Sequence, residues 1–296
     1  MTNPASNDVH MFGSERLQVS VARAGAEPVS LQTAGGRELL WQAGPEWPRH
    51  APVLFPIIGR LANDTLLHDG RRTRMTQHGF ARDRRFEWIE RDASGCRLAL
   101  MDDAESRAIY PFAFRLEVAY RVEGDRLSVE YRIVNPGDTV LPASLGAHPA
   151  FRWPLSEDTA REAYRLVFAD PEPAPIRRVV GGLLREAPEP SPIDGRELKL
   201  ADALFVDDAV ILDRPVSHAV TYEAGADGPA LRIAWHGMTQ LGIWSKPGAG
   251  FLCIEPWHGL ASPVGFEGEF QDKPFLMHIP PGGEDRLGWS VQLLRS

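Results

Sequence analysis

Four short segments of this 296-residue chain carry side chains suited to proton transfer and hydrogen bonding. Residues 253–259 read Cys-Ile-Glu-Pro-Trp-His-Gly. Glu255 follows the apolar run 250–254, which places it at the end of a buried strand. Burial would raise its pKa toward the range useful to a general base. Trp257 could stack on an apolar ring face or serve as a core residue. Residues 146–151 read Gly-Ala-His-Pro-Ala-Phe, and Pro149 holds His148 extended and stiff. Residues 77–83 read Gln-His-Gly-Phe-Ala-Arg-Asp, where Gly79 permits close backbone approach beside His78. Residues 52–60, Pro-Val-Leu-Phe-Pro-Ile-Ile-Gly-Arg, end an apolar run on Arg60. Its guanidinium fork could donate to hydroxyls, although on spacing alone a pair with a surface carboxylate is the plainer reading. Asp208 could accept from a hydroxyl, yet an adjacent pair such as Asp207-Asp208 is usually a solvated turn. His258 and His278 read as bystanders. Taken singly, each of these groups has a bland explanation.

The rest of the composition narrows the chemistry. His78 and His148 share no short ligand spacing, and nothing reads H-x-H or H-E-x-x-H, so no metal is expected. There is no phosphate-cradling glycine loop of either common kind, which argues against nucleotide cofactors. G-x-S-x-G is absent as well. The net charge of −8 lacks the basic field of a nucleic-acid binder. Cys96 and Cys253 form neither a disulfide framework nor a zinc spacing and read as reduced, structural thiols. The polar first thirteen residues lack the apolar core of a signal peptide, and no apolar run would span a membrane. A cytoplasmic protein with no membrane partner is expected.

The elements that must position these groups are strands. Phe114, Leu116, Val118, Tyr120 and Val122 alternate with polar neighbours, and the pattern resumes at Leu127, Val129, Tyr131 and Ile133 after Glu123-Gly124-Asp125. That is a hairpin with one buried face. Val220 and Tyr222 lead through a turn at Asp227-Gly228 to Leu231, Ile233 and Trp235, and a last strand carries Leu287, Trp289, Val291 and Leu293. Shorter strands are expected over 85–89 and 97–100. Helical signals are weak, and residues 155–165 suit a short helix or a loop. The 25 prolines and 27 glycines are spread along the chain, as many turns require. The stretch 171–192 reads as a surface excursion. A large antiparallel all-β sandwich in one domain, residues 1–296, is the simplest architecture.

Read together and in order, FPIIGR, QHGFARD, GAHPAF and CIEPWHGLASP resemble the aldose 1-epimerase family with its galactose-mutarotase-like fold. The tail FEGEFQDKPFLMHIPPGGE resembles the family's closing loop and last strands, so the likeness runs from about Leu31 to Leu293. It is nearest to the branch associated with bacterial lactose operons and to hexose-6-phosphate 1-epimerases. The resemblance implies a β-supersandwich with an open sugar cleft and no cofactor. It implies His148 as general acid, Glu255 as general base, His78 as the supporting histidine near the ring oxygen, and Arg60 as a sugar-contacting arginine. Asp208 matches a hydroxyl-binding aspartate only loosely. Pro149-Ala150-Phe151 after His148 departs from the aromatic residue and Asn of the galactose enzymes, which puts galactose preference in question. At their unperturbed values, roughly 4.3 and 6.5, Glu255 would be a carboxylate and His148 could be an imidazolium near neutral pH. The implied partner is a small sugar, either an aldohexose or its phosphate, bound by a monomer or a homodimer. Arg82, Arg84 and Arg85 could hold a phosphate if they face the cleft. Alternatives are a hexose-6-phosphate 1-epimerase and a sugar sensor without turnover, the latter needing Arg60, His78 and Trp257 but no acid–base pair.

Overall fold

The alternating runs become strands because each can turn one apolar edge toward a shared interior. The expected hairpin forms in this computed structural model, which describes residues 8–295. Arg115–Glu123 pairs antiparallel with Arg126–Val134, so that Leu127 lies opposite Val122 and Val129 opposite Tyr120. It forms part of a nine-stranded antiparallel sheet running from Glu197–Lys199 at one edge to Glu87–Arg91 at the other, with Glu284–Arg295 near the middle. The second hairpin, Ala219–Glu223 with Ala230–His236, lies in the same sheet.

A smaller antiparallel sheet of six strands carries the chemistry. Its order is Val210–Leu212, Gln240–Trp244, Phe251–His258, Leu145–Ala147, Val53–Leu54, and Ala150–Arg152 also pairs with Phe251–His258. Both sheets feed one hydrophobic cluster. Val118, Val129, Ile233 and Trp289 come from the large sheet, and Val53, Leu145, Ile243, Leu252 and Ile254 from the small one. The sandwich expected from the sequence is thus the observed architecture. Among the described residues no helix is long and apolar enough to cross a membrane.

The small sheet is buried on both faces. Along Phe251–His258, Leu252 and Ile254 enter the main core. Phe251 and Cys253 join a separate cluster against Trp41, Trp47 and Trp244, and Trp257 joins another with Leu54, Ile211 and Ala261. This strand therefore reads as a near-continuous apolar run, with Glu255 as its one acidic residue. Glu255 lies inside the strand, not at its end as the sequence suggested, because pairing with Gln240–Trp244 continues to Trp257.

Two further features were not read from the sequence. A short α-helix, Ala104–Ile109, forms behind a capping box in which Asp103 accepts from the Ser106 backbone N–H and the Ser106 hydroxyl accepts from that of Asp103. Six residues are too few to show helical periodicity. Residues 171–192 are not a mere surface excursion. Ile176 and Leu184 are buried, and the small hairpin Val179–Val180/Leu183–Leu184 packs over the outer face of the small sheet.

Ile254 is fully buried on the core face, one residue before Glu255. Ile254→Ala should lower unfolding free energy in urea by about 2–5 kcal/mol. A loss under about 1 kcal/mol would mean that the face is not packed as described.

Candidate active site

The outer face of the small sheet is walled by loops that are stitched to one another. Backbone N–H groups of His78, Arg60, Leu184 and Ser262 donate to the carbonyls of Gly59, Gly182, Ser262 and Arg60 respectively, at 2.8–3.3 Å. Gly59 and Gly79 both have positive φ, and a Cβ on Gly79 would lie 2.2 Å from the Phe55 carbonyl oxygen, which accepts from Phe80 and Ala81. These contacts fix His78 at a left-handed backbone position of its own, φ 66°. Behind the wall, buried Lys273 donates from Nζ to the carbonyls of Leu260 (2.6 Å) and Pro274 (3.3 Å), and burial pulls its pKa down to about 7.

Sheet and loops enclose a cavity of about 270 Å³. One side is apolar, with Ile58, Val179, Ile211, Ala261 and the ring of Trp257. That ring rests on two glycines of neighbouring strands: a Cβ on Gly242 would come within 2.2 Å of it, and one on Gly146 within 2.4 Å. The glycine of the Gly-Ala-His-Pro segment is therefore a bed for Trp257. The other side is polar, with Gln77, His78, Arg82, His148, Asp208 and Glu255.

At the floor, His148 Nε2 lies 3.2 Å from Glu255 Oε2. His148 lies one residue past strand Leu145–Ala147 and Glu255 lies inside Phe251–His258, and they meet because those two strands are paired. Trp47 stacks on the His148 ring at 4.8 Å between centroids, and Trp244 meets it edge-on at 6.0 Å. Glu255 is only 2% exposed, and neither its Oε2 nor His148 Nδ1 has a hydrogen-bond partner. His78 lies edge-on to His148 at 5.6 Å. Its Nδ1 accepts from the Gly59 N–H at 3.2 Å, which leaves Nε2 to carry the ring proton.

Burial dominates the electrostatics. It pushes the Glu255 carboxyl well above its ordinary range, and the nearby Asp208 charge pushes the same way. It pulls His148 down to about 3, with the positive charge of Arg82 adding to the effect. His78 is held well below its usual value by burial and then by His148, Arg82 and Arg49. The expectation from unperturbed values, a carboxylate beside an imidazolium, is thus corrected: burial drives both groups toward their neutral forms.

Of the residues the sequence assigned to the site, His78, Arg82, His148, Asp208, Glu255 and Trp257 line the cavity and Arg60 does not. The Arg60 guanidinium forks onto Asp64, with Nε–Oδ1 at 2.8 Å and Nη2–Oδ2 at 2.6 Å, and its stem packs against Gly182. It builds the wall through its backbone and presents no guanidinium to the cavity. Of the three arginines that follow Phe80, only Arg82 faces inward; Arg84 pairs with Glu105, and Arg85 pairs with Asp8. Arg82 donates to the Gln77 carbonyl at 2.7 Å, while its buried Nε makes no hydrogen bond. Asp208 adopts φ 69° and accepts from the Ala209 N–H at 2.7 Å.

Sequence reasoning missed Trp47, Trp244 and Gln77. Trp244 was legible, since Leu241 and Ile243 point to the core and the residue two beyond Gly242 must share its outward face. Trp47 lies in no strand; it is held by Trp41 Nε1 donating to its carbonyl at 2.8 Å and by stacking on Phe251. No local pattern announces such an arrangement.

Known proteins resemble this chain in sequence and in fold. The family model described as aldose 1-epimerase matches residues 8–275. The plasmid-encoded protein LacX of Lactococcus lactis subsp. lactis is 30% identical over 292 residues, covering 95% of this chain and 98% of that protein. A galactose mutarotase related enzyme from Lactobacillus acidophilus superposes with a TM-score of 0.88 at 29% identity, covering 97% of each chain. A galactose mutarotase-like protein from Lactobacillus casei ATCC 334 gives 0.89 at 28% identity, covering 96% of this chain and 99% of that one.

A raised folded pKa makes the Glu255 contribution to stability complete below the ordinary carboxylate value and progressively lost as pH rises through the folded value. A neutral amide has no such slope. The Tm of Glu255→Gln minus that of the unaltered protein should therefore grow more positive from about pH 4 to about pH 8. Calorimetry showing a difference independent of pH would mean that Glu255 ionises in the fold as it does in water.

Proposed function

The chain belongs to the aldose 1-epimerase family, and from that premise we propose that it interconverts the α and β anomers of an aldohexose by opening and reclosing the ring. The observation that carries this reading is the contact of His148 Nε2 with Glu255 Oε2, buried at the floor of an accessible cavity. Ring opening needs one group to take the proton of the C1 hydroxyl while another gives a proton to the ring oxygen. The C1–O5 bond then breaks, the aldehyde turns about C1–C2, and closure on the other face returns both protons.

The pair meets this need with one shared proton. Carboxylic acid beside imidazole and carboxylate beside imidazolium hold the same number of protons, and each offers one donor and one acceptor. Burial favours the first. A sugar that donates its C1 hydroxyl to the carboxylate and accepts at O5 from the imidazolium favours the second. Glu255 is then the base and His148 the acid. His78 remains neutral and donates from Nε2 to a sugar oxygen near the ring. Asp208 accepts from a ring hydroxyl, and Trp257 offers its face to the apolar side of the sugar. Two positioned proton-transfer groups, each contributing about 10²- to 10⁴-fold, suffice for a reaction that already proceeds in water.

A second reading, in which the sugar is a hexose 6-phosphate, is supported by Arg82. Its buried Nε lacks a hydrogen-bond partner at the cavity wall, and a phosphate oxygen would supply one. Arg84 and Arg85 give no help, being paired elsewhere.

Polarimetry of freshly dissolved α-glucose and α-galactose tests the proposal. The protein should speed equilibration, and Glu255→Gln or His148→Ala should each lower the catalysed rate by at least about 10²-fold, the former with sugar affinity largely kept. Full activity in Glu255→Gln would refute the assignment. Acceleration confined to hexose 6-phosphates, and lost in Arg82→Ala, would select the second reading. No acceleration with either class would leave a sugar-binding protein without turnover.

A further inference from the structure

Cys253 is a ligand-grade group beside the acid–base pair that the proposed reaction does not use. It lies two residues before Glu255 and so on the same face of the strand, and it is wholly buried. One sulfur of Cys253, one imidazole nitrogen of His148 and one carboxylate oxygen of Glu255 all lie within 4.8 Å of one another. The three come from two paired strands, which is why no ligand spacing shows in the sequence.

We propose that His148, Cys253 and Glu255 form a three-ligand site for a thiophilic divalent cation of the zinc type, and that the bound ion blocks the acid–base pair. The set contains one soft thiolate, one borderline imidazole and one hard carboxylate, a mixture that suits Zn²⁺ and does not suit Mg²⁺ or Ca²⁺. Tetrahedral zinc with its usual bond lengths separates neighbouring ligand atoms by roughly 3.3–3.7 Å. The 3.2 Å between His148 Nε2 and Glu255 Oε2 is close to one such edge, and the Cys253 sulfur lies within 4.8 Å of a ligand atom of each. Glu255 Oε2 is buried without a hydrogen bond, and His148 Nε2, which faces it, offers a lone pair when the ring proton sits on Nδ1. His148 and Glu255 line the cavity, so the ion has an entry path and its fourth position faces the space where a water or a sugar hydroxyl can sit. On binding, the Cys253 thiol and the Glu255 carboxyl release whatever protons they hold to solvent, and neutral His148 binds through a nitrogen lone pair. Both groups then lack the lone pair and the proton that ring opening requires.

The other grouping of potential ligands, His68, Asp69 and Glu269, does not compete. It has no sulfur, Asp69 is 88% exposed, and the Glu269 carboxylate already accepts from the Asp69 and Gly70 N–H groups.

Binding at this site stands independently of the proposed activity, whereas inhibition rests on it, so each has its own readout. Titration of reduced protein with Co²⁺ should produce a near-ultraviolet thiolate-to-cobalt charge-transfer band that saturates at one equivalent. Calorimetry with Zn²⁺ should give the same stoichiometry. Cys253→Ala should lose the band and weaken Zn²⁺ binding by more than about 100-fold, since an inner ligand counts for more than an outer-shell partner. Cys253→Ser, closer in volume, serves the same purpose if the alanine variant does not fold. Absence of the band, or equal Zn²⁺ affinity in the cysteine variants, would overturn the proposal. In polarimetry, Zn²⁺ should suppress the rate reversibly to chelation in the unaltered protein and not in Cys253→Ala, which keeps its metal-free rate. A thiolate band in a protein that never accelerates mutarotation would refute the activity and leave the site standing.

Discussion

A carboxyl group buried among indole rings and strand backbone is costly to ionise, and the Glu255–His148 contact is where this structure meets that cost. Neither group has a fixed counter-ion; each has the other, 3.2 Å away. The rest of the site follows from holding them there. The antiparallel pairing of Leu145–Ala147 with Phe251–His258 sets the separation, Trp47 and Trp244 fix the imidazole plane, and the stitched loops shut out bulk water on all sides but the cavity mouth. On the proposed reading, a proton that bound sugar can shift from one member to the other is what a reversible reaction with exchanged acid and base roles requires.

The two halves of the cavity divide the work. Trp257 on its glycine bed, with Ile58, Ile211 and Val179, gives a flat apolar wall that imposes no hydrogen-bond pattern. On the proposed reading, selectivity among hydroxyl arrangements would fall to few groups: Asp208, Gln77, Arg82 and His78. A site with so few polar contacts suits a catalyst that must accept both anomers and the open aldehyde between them, because tight complementarity to one ring form would trap it.

Much of this was legible in the sequence, for physical reasons that differ by element. Period-two alternation gave the large sheet, because one of its faces meets water and the other the core. The strand Phe251–His258, buried on both faces, shows no alternation, so its length and the place of Glu255 within it were misjudged. Arg60 illustrates the limit of reading a motif: the residue stands where the motif puts it, yet Asp64, four residues on and brought round by a left-handed turn at Asn63 and Asp64, takes its guanidinium. Trp47 and the hairpin at 179–184 were invisible for a further reason. Their positions depend on contacts with residues up to two hundred places away, which no local pattern encodes.

The strand Phe251–His258 sorts its side chains by parity: at even positions Leu252 and Ile254 enter the core, and at odd positions Glu255 and Trp257 line the cavity while Phe251 and Cys253 pack against Trp47 and Trp244. This arrangement constrains how the protein can change over time. Point replacements at odd positions can alter what the cavity accepts with little disturbance of the core, and replacements at even positions can tune stability without touching catalysis. Insertion or deletion of a single residue in the strand would exchange the two sets at once, driving a carboxyl into the core and aliphatic side chains into the cavity. Such a lineage can drift in substrate by substitution, but the length of this one strand is closed to it.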